Sequence, residues 1–563
     1  MPRSPCVARI LGPGPRPNGR PPAVRHGQND GERHTVKVGI VSVFTDYRRG
    51  GRHLRGPLQP QIGPLVAALL SPDVEVDVVN DAWDDPDWSR DYDLVFISAL
   101  HSEFDRARQM SHYWRRRGAK TVIGGPFAST YPQLCRPFFD AVVVGDPEST
   151  VPRVHADFAA GRLAPHYRAG PYDPEAVPTP RFDLAAGRPL VPLAFEATRG
   201  CPFTCEFCTL TGLGTRFHTR ATARVVRDIR AGQRMLRGRS AWWQRRIVGF
   251  MDNNIGGSRS WLRELCDALA PLDVRWASCI TFNVLRDDAM LDRLSASGCR
   301  LVYVGLESFN PAALADMQKR QNVLGDVRRV VDACRSRGIL LTAGLMLDPR
   351  VDTVDYVDRI PDYLAASGLH VPTYIAFETP FPGTPHFKRL AAERGHALLP
   401  GALLRDFTGY TMVTAPRHAT PQAFVAAYRR AHERVYSAAT RARKLADDLP
   451  RLLRRGYLAP ALADIGQVVR FSPALAAGRT PIAGLDIAPP ETVPLTDADF
   501  ASEAERTAIM APWAVTGPDG AVLPHWLGAR PAYLARGRVA PGGSAGEPVV
   551  DAPWLPAAAP APA

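Results

Sequence analysis

From residue 36 to residue 145 short apolar runs alternate with amphipathic stretches. Residues 36–44, 74–79, 93–98, 120–125 and 140–145 are rich in Val and Ile, bounded by polar or glycine positions, and predict buried strands. Between them 60–70 and 104–117 predict helices, the second closed by Gly118. Strands and helices that alternate over short links predict a parallel, doubly wound, Rossmann-like α/β sheet. A second alternation fills 192–395. Strands are predicted at 192–198, 246–252, 274–281, 300–308, 339–347 and 373–379. Helices are predicted at 221–236, 259–269, 287–297, 325–337, 353–366 and 385–393. Six βα units fall short of the eight that close a barrel and leave a lateral mouth.

Outside these two blocks the pattern changes. Residues 1–35 are rich in Arg, Pro and Gly and predict a leader without regular structure. The Pro- and Gly-dense stretch 166–191 predicts a linker. Residues 421–470 predict a helical extension, with Phe424, Ala427, Tyr428 and Ala431 at helical spacing. In 471–563 Pro, Ala and Gly accumulate, which predicts a partly disordered end.

Ligands of doubly wound sheets sit at the carboxyl ends of strands. Thr45, Ser98, Gly124, Gly125 and Gly145 fall at such ends and are candidate binding residues. The loop after the first strand of the second block reads Cys201-Pro-Phe-Thr-Cys205-Glu-Phe-Cys208. Nine cysteines in 563 residues would seldom fall into this CxxxCxxC triple by chance. Three thiolates on one loop can hold three corners of an iron–sulfur cluster and leave one iron open. A structural zinc site is the competing reading, but it needs four ligands, and the nearest further candidate is His218.

The triple follows the strand-like Glu196-Ala-Thr-Arg-Gly200, and the aromatic Phe207 precedes its last cysteine. In this it resembles the radical S-adenosylmethionine (SAM) superfamily. The resemblance implies a 4Fe-4S cluster on Cys201, Cys205 and Cys208, with SAM chelating the open iron and cleaved reductively to methionine and a 5′-deoxyadenosyl radical. It also implies that the second block is the superfamily's partial (β/α)6 barrel. Asp252 and Asn253, after the second barrel strand, are expected near the SAM amino group. Glu307, after the fourth, is expected near the ribose. Glu378, in Phe377-Glu378-Thr-Pro-Phe-Pro-Gly-Thr-Pro385, is expected near the adenine. Capping or structural ion pairing is the alternative for each of these side chains. Arg199 and Arg216 flank the cluster loop and either neutralise the cluster or face solvent.

The first block resembles the cobalamin-binding (B12-type) domain often fused ahead of a radical SAM barrel. The similar stretches are Ile97-Ser98, Ile123-Gly-Gly-Pro-Phe-Ala-Ser129 and Val144-Gly-Asp-Pro-Glu148. The DxHxxG signature of a cobalt-ligating histidine is missing: the loop reads Phe44-Thr-Asp-Tyr-Arg-Arg-Gly-Gly51, and His53 is out of pattern. A structural Rossmann-like domain without the cofactor is therefore the alternative.

Taken together, the readings give a radical SAM enzyme of the cobalamin-domain type, with a methyltransferase acting on an unactivated carbon or phosphorus as the first expectation. A cobalamin-independent rearrangement, cyclisation or oxidation is the second, and a non-catalytic metal scaffold the third. A methylthiotransferase is disfavoured because 37–165 hold only Cys135. The expected partners are a small-molecule substrate and a flavodoxin- or ferredoxin-type electron donor.

Composition changes this little. The chain is 45% hydrophobic and 22% charged, and no run of about eighteen apolar residues predicts a membrane span. Few cysteines in a long chain argue against a disulfide framework and for a reducing, cytoplasmic setting. Cys6, Cys135, Cys266, Cys279, Cys299 and Cys334 share no ligand spacing and are read as packing. The net charge of +13 is Arg-rich, without interleaved aromatics in a recognition motif, so no nucleic-acid partner is expected.

Overall fold

The computed structural model describes residues 35–44, 60–82, 86–188, 191–319, 321–322, 324–393, 397–454 and 493–527. Thr45, His53, Cys6, most of the leader, the second part of the predicted helical extension and the start of the C-terminal region (455–492), and 528–563 lie outside the described residues. The first sheet has six parallel strands: β1 (Lys37–Ser42), β2 (Glu75–Asn80), β3 (Leu94–Ser98), β4 (Lys120–Gly124), β5 (Ala141–Val144) and β6 (His166–Arg168). Their order, β2-β1-β3-β4-β5-β6, reverses between β1 and β3, which is where a doubly wound sheet opens a crevice. The strands read as continuous apolar runs because both faces are covered. Ile40, Phe96, Val122 and Val143 pack with Val66 and Val151 of the helices Ile62–Ala68 and Pro147–Ala159. Val41, Ile97, Ile123 and Val142 pack instead with Phe104, Met110 and Trp114 of the helix Phe104–Arg116.

The second sheet also has six parallel strands: β7 (Leu193–Phe195), β8 (Ile247–Phe250), β9 (Arg275–Cys279), β10 (Cys299–Glu307), β11 (Leu340–Leu347) and β12 (Tyr374–Phe377). Neighbours are sequential throughout, and β7 and β12 remain unpaired with each other, so the barrel stays open. The α/β class, with a partial barrel behind a Rossmann-like domain and helices beyond it, is thus the one the alternation predicts.

The structure adds three things to that expectation. Strand β6 lies inside the stretch read as linker. Its pattern is too short for periodicity to register, and it is anchored by the buried Tyr167, whose hydroxyl donates to Asp157 at 3.1 Å. The sixth barrel helix is not 385–393. Helix Pro421–Val435 packs on helices Val354–Asp358 and Ile360–Ala366, and Tyr428 donates to the Ile375 carbonyl at 2.9 Å. Phe387 and Leu390, from the short helix Pro385–Ala392, join the Rossmann-side core.

The third addition is residues 493–527, which pack on the Rossmann domain. Trp513 meets the Phe104 ring at 5.2 Å, Trp526 meets Tyr131 at 5.2 Å, and Arg108 donates to the Ala508 carbonyl at 2.6 Å. A Pro- and Ala-rich composition hides these few aromatic anchors. Trp526 is 1% exposed, so Trp526→Ala should cost about 3–5 kcal/mol, measured as a lower urea midpoint.

Candidate functional site

The cluster loop is held at its base by a two-residue hairpin in which Thr198 and Arg199 pair with Thr219 and His218. Gly200 takes φ +82, and a Cβ there would lie 2.2 Å from the Arg216 carbonyl oxygen, so only glycine lets the loop cross that strand. The Cys208 N–H donates to the Cys205 carbonyl at 3.1 Å, closing a turn. Cys208 then caps the short helix Thr209–Leu213. Cys205 is buried, while Cys201 and Cys208 are half-buried. Burial pushes the Cys208 thiol up, and the N–H groups of Leu210 and Thr211 oppose that shift.

Among the described residues no three His, Cys, Asp or Glu side chains converge on one metal ion. A cubane takes one thiolate per iron, so its ligands need not converge on a single ion. His218 stacks edge-on to Tyr172 at 5.3 Å.

Two amides that periodicity did not single out reach the cysteine sulfurs. The Asn254 Nδ2 lies 3.7 Å from Cys201 Sγ, and the Gln321 Nε2 lies 3.6 Å from Cys205 Sγ. Hydrogen bonds to cluster sulfurs tune potential and hold ligands in place. Asn254 follows the singled-out pair 252–253 by one residue. Gln321 sits in a loop with no sequence signal.

The carboxylates occupy distinct environments. Asp252 is 1% exposed and accepts from Thr198 Oγ1 at 2.5 Å, from the Thr198 N–H, and from the Ala197 N–H at 3.3 Å. Burial pushes its pKa up to about 7. The carboxylate is thereby committed to the backbone just before the cluster loop, tying the end of β8 to the hairpin. Asn253, beside it, is exposed toward the cavity described below.

Glu307 is buried with φ +66, a conformation unusual for a non-glycine residue, next to an irregularity in the β10–β11 pairing. Its Oε1 accepts from Lys319 Nζ at 2.5 Å, and that ammonium lies 5.7 Å from the centroid of the Phe207 ring. A Cβ on Gly305 would sit 2.2 Å from Glu307 Oε1, so the glycine makes room for the pair. Burial works against the Lys319 charge, but Glu307 and the cysteine thiols outweigh it and hold its pKa up. Glu378 is 1% exposed and abuts His386 Nδ1. Burial first, and the Glu378 charge second, push the nearby Asp348 up to about 7.

A cavity of about 280 Å³ opens where the carboxyl ends of the first sheet meet the cluster loop. Ser98, Gly124, Gly125, Ser129, Gly145 and Asp146 line its Rossmann side. Glu196, Arg199, Leu213 and Asn253 line its barrel side. Its inner wall, between the sheet and helices 62–68 and 147–159, is apolar: Ile40, Leu65, Val66, Phe96, Val122 and Val143. Four of the five predicted strand-end residues thus share one cavity, and Thr45 is the one not described.

Arg199 joins the two sides. Its guanidinium contacts Asp146 at 3.0 Å, Glu148 at 2.9 Å and Glu196 at 2.8 Å, and lies 4.3 Å from the Tyr172 ring centroid. It is therefore not the solvent-facing flank, whereas Arg216 is exposed. Burial opposes the Arg199 charge, and the carboxylates more than offset it. Arg199→Met would remove the guanidinium on which three carboxylates converge. We expect a loss of about 3–5 kcal/mol, read as a lower thermal midpoint, with Arg199→Lys intermediate because it cannot fork between partners.

Residues 195–360 match the radical SAM superfamily. The bacteriochlorophyllide d C-12(1)-methyltransferase of Chlorobaculum tepidum is 28% identical over 337 residues, which cover 58% of this chain and 72% of that protein. The bacteriochlorophyllide d C-8(2)-methyltransferase of the same organism is 25% identical over 331 residues, covering 57% and 73%. The solved cobalamin-dependent S-adenosylmethionine radical enzyme OxsB, with aqua-cobalamin and S-adenosylmethionine bound, superposes with a TM-score of 0.51 at 12% identity, covering 70% of this chain and 66% of that one. That last likeness is one of fold.

Proposed function

We propose that this chain, a radical SAM enzyme, is a cobalamin-dependent methyltransferase acting on an unactivated carbon, or a phosphorus, of a small-molecule substrate. The observation that carries the reading is the cavity with one wall from the Rossmann strand ends and the other from the cluster loop. The residues present fit a corrinoid there. Gly124, Gly125 and Gly145 let backbone approach the ring amides, and Gly125 and Gly145 hold φ values of +96 and +92. The apolar inner wall suits the flat aromatic base of the cofactor's nucleotide tail.

Cys201, Cys205 and Cys208 would hold three irons of a 4Fe-4S cluster and leave the fourth for SAM. When bound, the cluster supplies the electron that cleaves SAM and the corrinoid supplies the methyl group. The chain itself orients and shields. Asn254 and Gln321 support the thiolates, Asp252 fixes the loop base, and Lys319 is set between Glu307 and Phe207 beside the cluster loop. Asn253, Glu307 and Glu378 remain the proposed contacts for SAM. Both bacteriochlorophyllide d relatives are C-methyltransferases by name, which supports carbon as the acceptor. A flavodoxin- or ferredoxin-type donor completes the reading, and the described cysteines outside the loop, which form no disulfide with one another, support a reducing cytoplasm.

The test is anaerobic reconstitution with iron, sulfide and hydroxocobalamin. A corrinoid absorbance band near one per chain, together with a cluster signal that changes on SAM addition, is the expected result. A complete cluster without retained corrinoid would move the assignment to cobalamin-independent radical chemistry. No cluster at all would end both.

A further inference from the structure

Helix Thr222–Met235 carries an arginine stripe that changes character along its length. In its first half Arg224 pairs with Glu175 at 2.5 Å and Arg227 with Asp228 at 2.8 Å. In its second half Arg230 and Arg234, with Arg237 just beyond, have no ion-pair partner among the described residues and are exposed. They line a surface pocket with Gln233, Trp242, Arg245 and Arg246. Among the described residues, Arg246 is the one of these arginines with a carboxylate partner, Asp273. The Arg245 Nε is buried without a hydrogen-bond partner. Favourable placement at a helix C-terminus accounts for Arg234 but not for Arg245, which belongs to the next segment. Converging guanidiniums repel one another unless an anion lies between them.

Two exposed tryptophans follow in the chain, and the first of them lines the same pocket. Trp242 is 65% exposed and Trp243 44%. Indoles with one apolar face and one N–H donor partition into the headgroup region of a bilayer, and guanidiniums fork onto phosphate oxygens. We propose that the face formed by Arg230, Arg234, Arg237 and Arg245 with Trp242, together with the adjacent exposed Trp243, docks the protein peripherally on an anionic lipid surface. No described helix is long and apolar enough to cross a membrane, so the contact is one of surface adsorption, strengthened by each arginine that reaches the anionic headgroups. The proposal rests on this patch alone and is independent of the chemistry at the barrel mouth.

The full chain should co-sediment with phosphatidylcholine vesicles that contain phosphatidylglycerol, and not with phosphatidylcholine alone, and salt should release it. The triple variant R230Q/R234Q/R237Q should bind the anionic vesicles roughly tenfold more weakly or worse. W242S/W243S should lose the part of the fluorescence that brominated lipid quenches in the parent. These side chains are exposed, so thermal midpoints should stay at the parent value, and the brominated-lipid measurement on the unaltered protein tests the contact without any variant. Equal binding to both kinds of vesicle would overturn the proposal. So would anionic binding unchanged in the arginine variant, or arginine-dependent retention of duplex DNA or an acidic protein with no affinity for vesicles.

Discussion

Cys205→Ala is expected to abolish 5′-deoxyadenosine formation from SAM. Cys205 is the buried member of the triple, its carbonyl closes the turn to Cys208, and its sulfur takes the Gln321 amide at 3.6 Å. Without that thiolate one cluster corner lacks a ligand. Cys135, by contrast, lies in the Rossmann-side core. Losses at supporting residues of metal sites already reach about 10–100-fold. Loss of a ligand should exceed that, with iron content falling in parallel. Cys135→Ala is the control: it should retain iron and SAM cleavage while losing only some packing. Undiminished deoxyadenosine in Cys205→Ala would refute the assignment of the loop. Gln321→Ala should fall between the two, retaining iron but shifting the cluster's reduction potential, because it removes a sulfur hydrogen bond and no ligand.

The features legible in the sequence are those set by local chemistry. A thiolate triple needs only its spacing to be seen, and strand ends follow from apolar runs that stop at glycine. Ser98, Gly124, Gly125 and Gly145 therefore meet at one cavity although no single motif names it. What stayed hidden is set by contacts between distant segments. Arg199 gathers carboxylates from positions 146, 148 and 196, and nothing in its own neighbourhood distinguishes it from Arg216. Asp252 illustrates the opposite case. Its position after a strand was visible, but its commitment to Thr198 depends on how β8 lies beside β7. Residues 493–527 look featureless because two tryptophans, widely spaced among Pro and Ala, do the anchoring.

Gly124→Leu is expected to separate the two cofactors. Gly124 ends β4 on the same side as Val122, and both line the cavity. Its φ is not positive, and a Cβ there would meet Val143 at an ordinary 3.7 Å, so the backbone accepts a side chain without strain. Gly125 offers no such clean test, because its φ of +96 would strain any substitution. A leucine at 124 instead projects into a space of about 280 Å³ and occupies the approach that a corrin ring would need. Overpacking of a filled core costs about 1–3 kcal/mol, but here the added carbons enter a void, and the thermal midpoint should move little. Hydroxocobalamin binding should drop by more than about 30-fold, since displacing the ring by one side-chain width forfeits several of its contacts at once, each roughly 1 kcal/mol. Iron, sulfide and the SAM-responsive cluster signal should match the parent, because the cysteine loop contacts the cavity only through its far wall. Corrinoid binding that survives Gly124→Leu unchanged would mean that the cofactor sits elsewhere. Loss of the cluster along with the corrinoid would mean that the two walls fold as one unit, and the cavity would then serve as a joint between domains and no longer as a binding site.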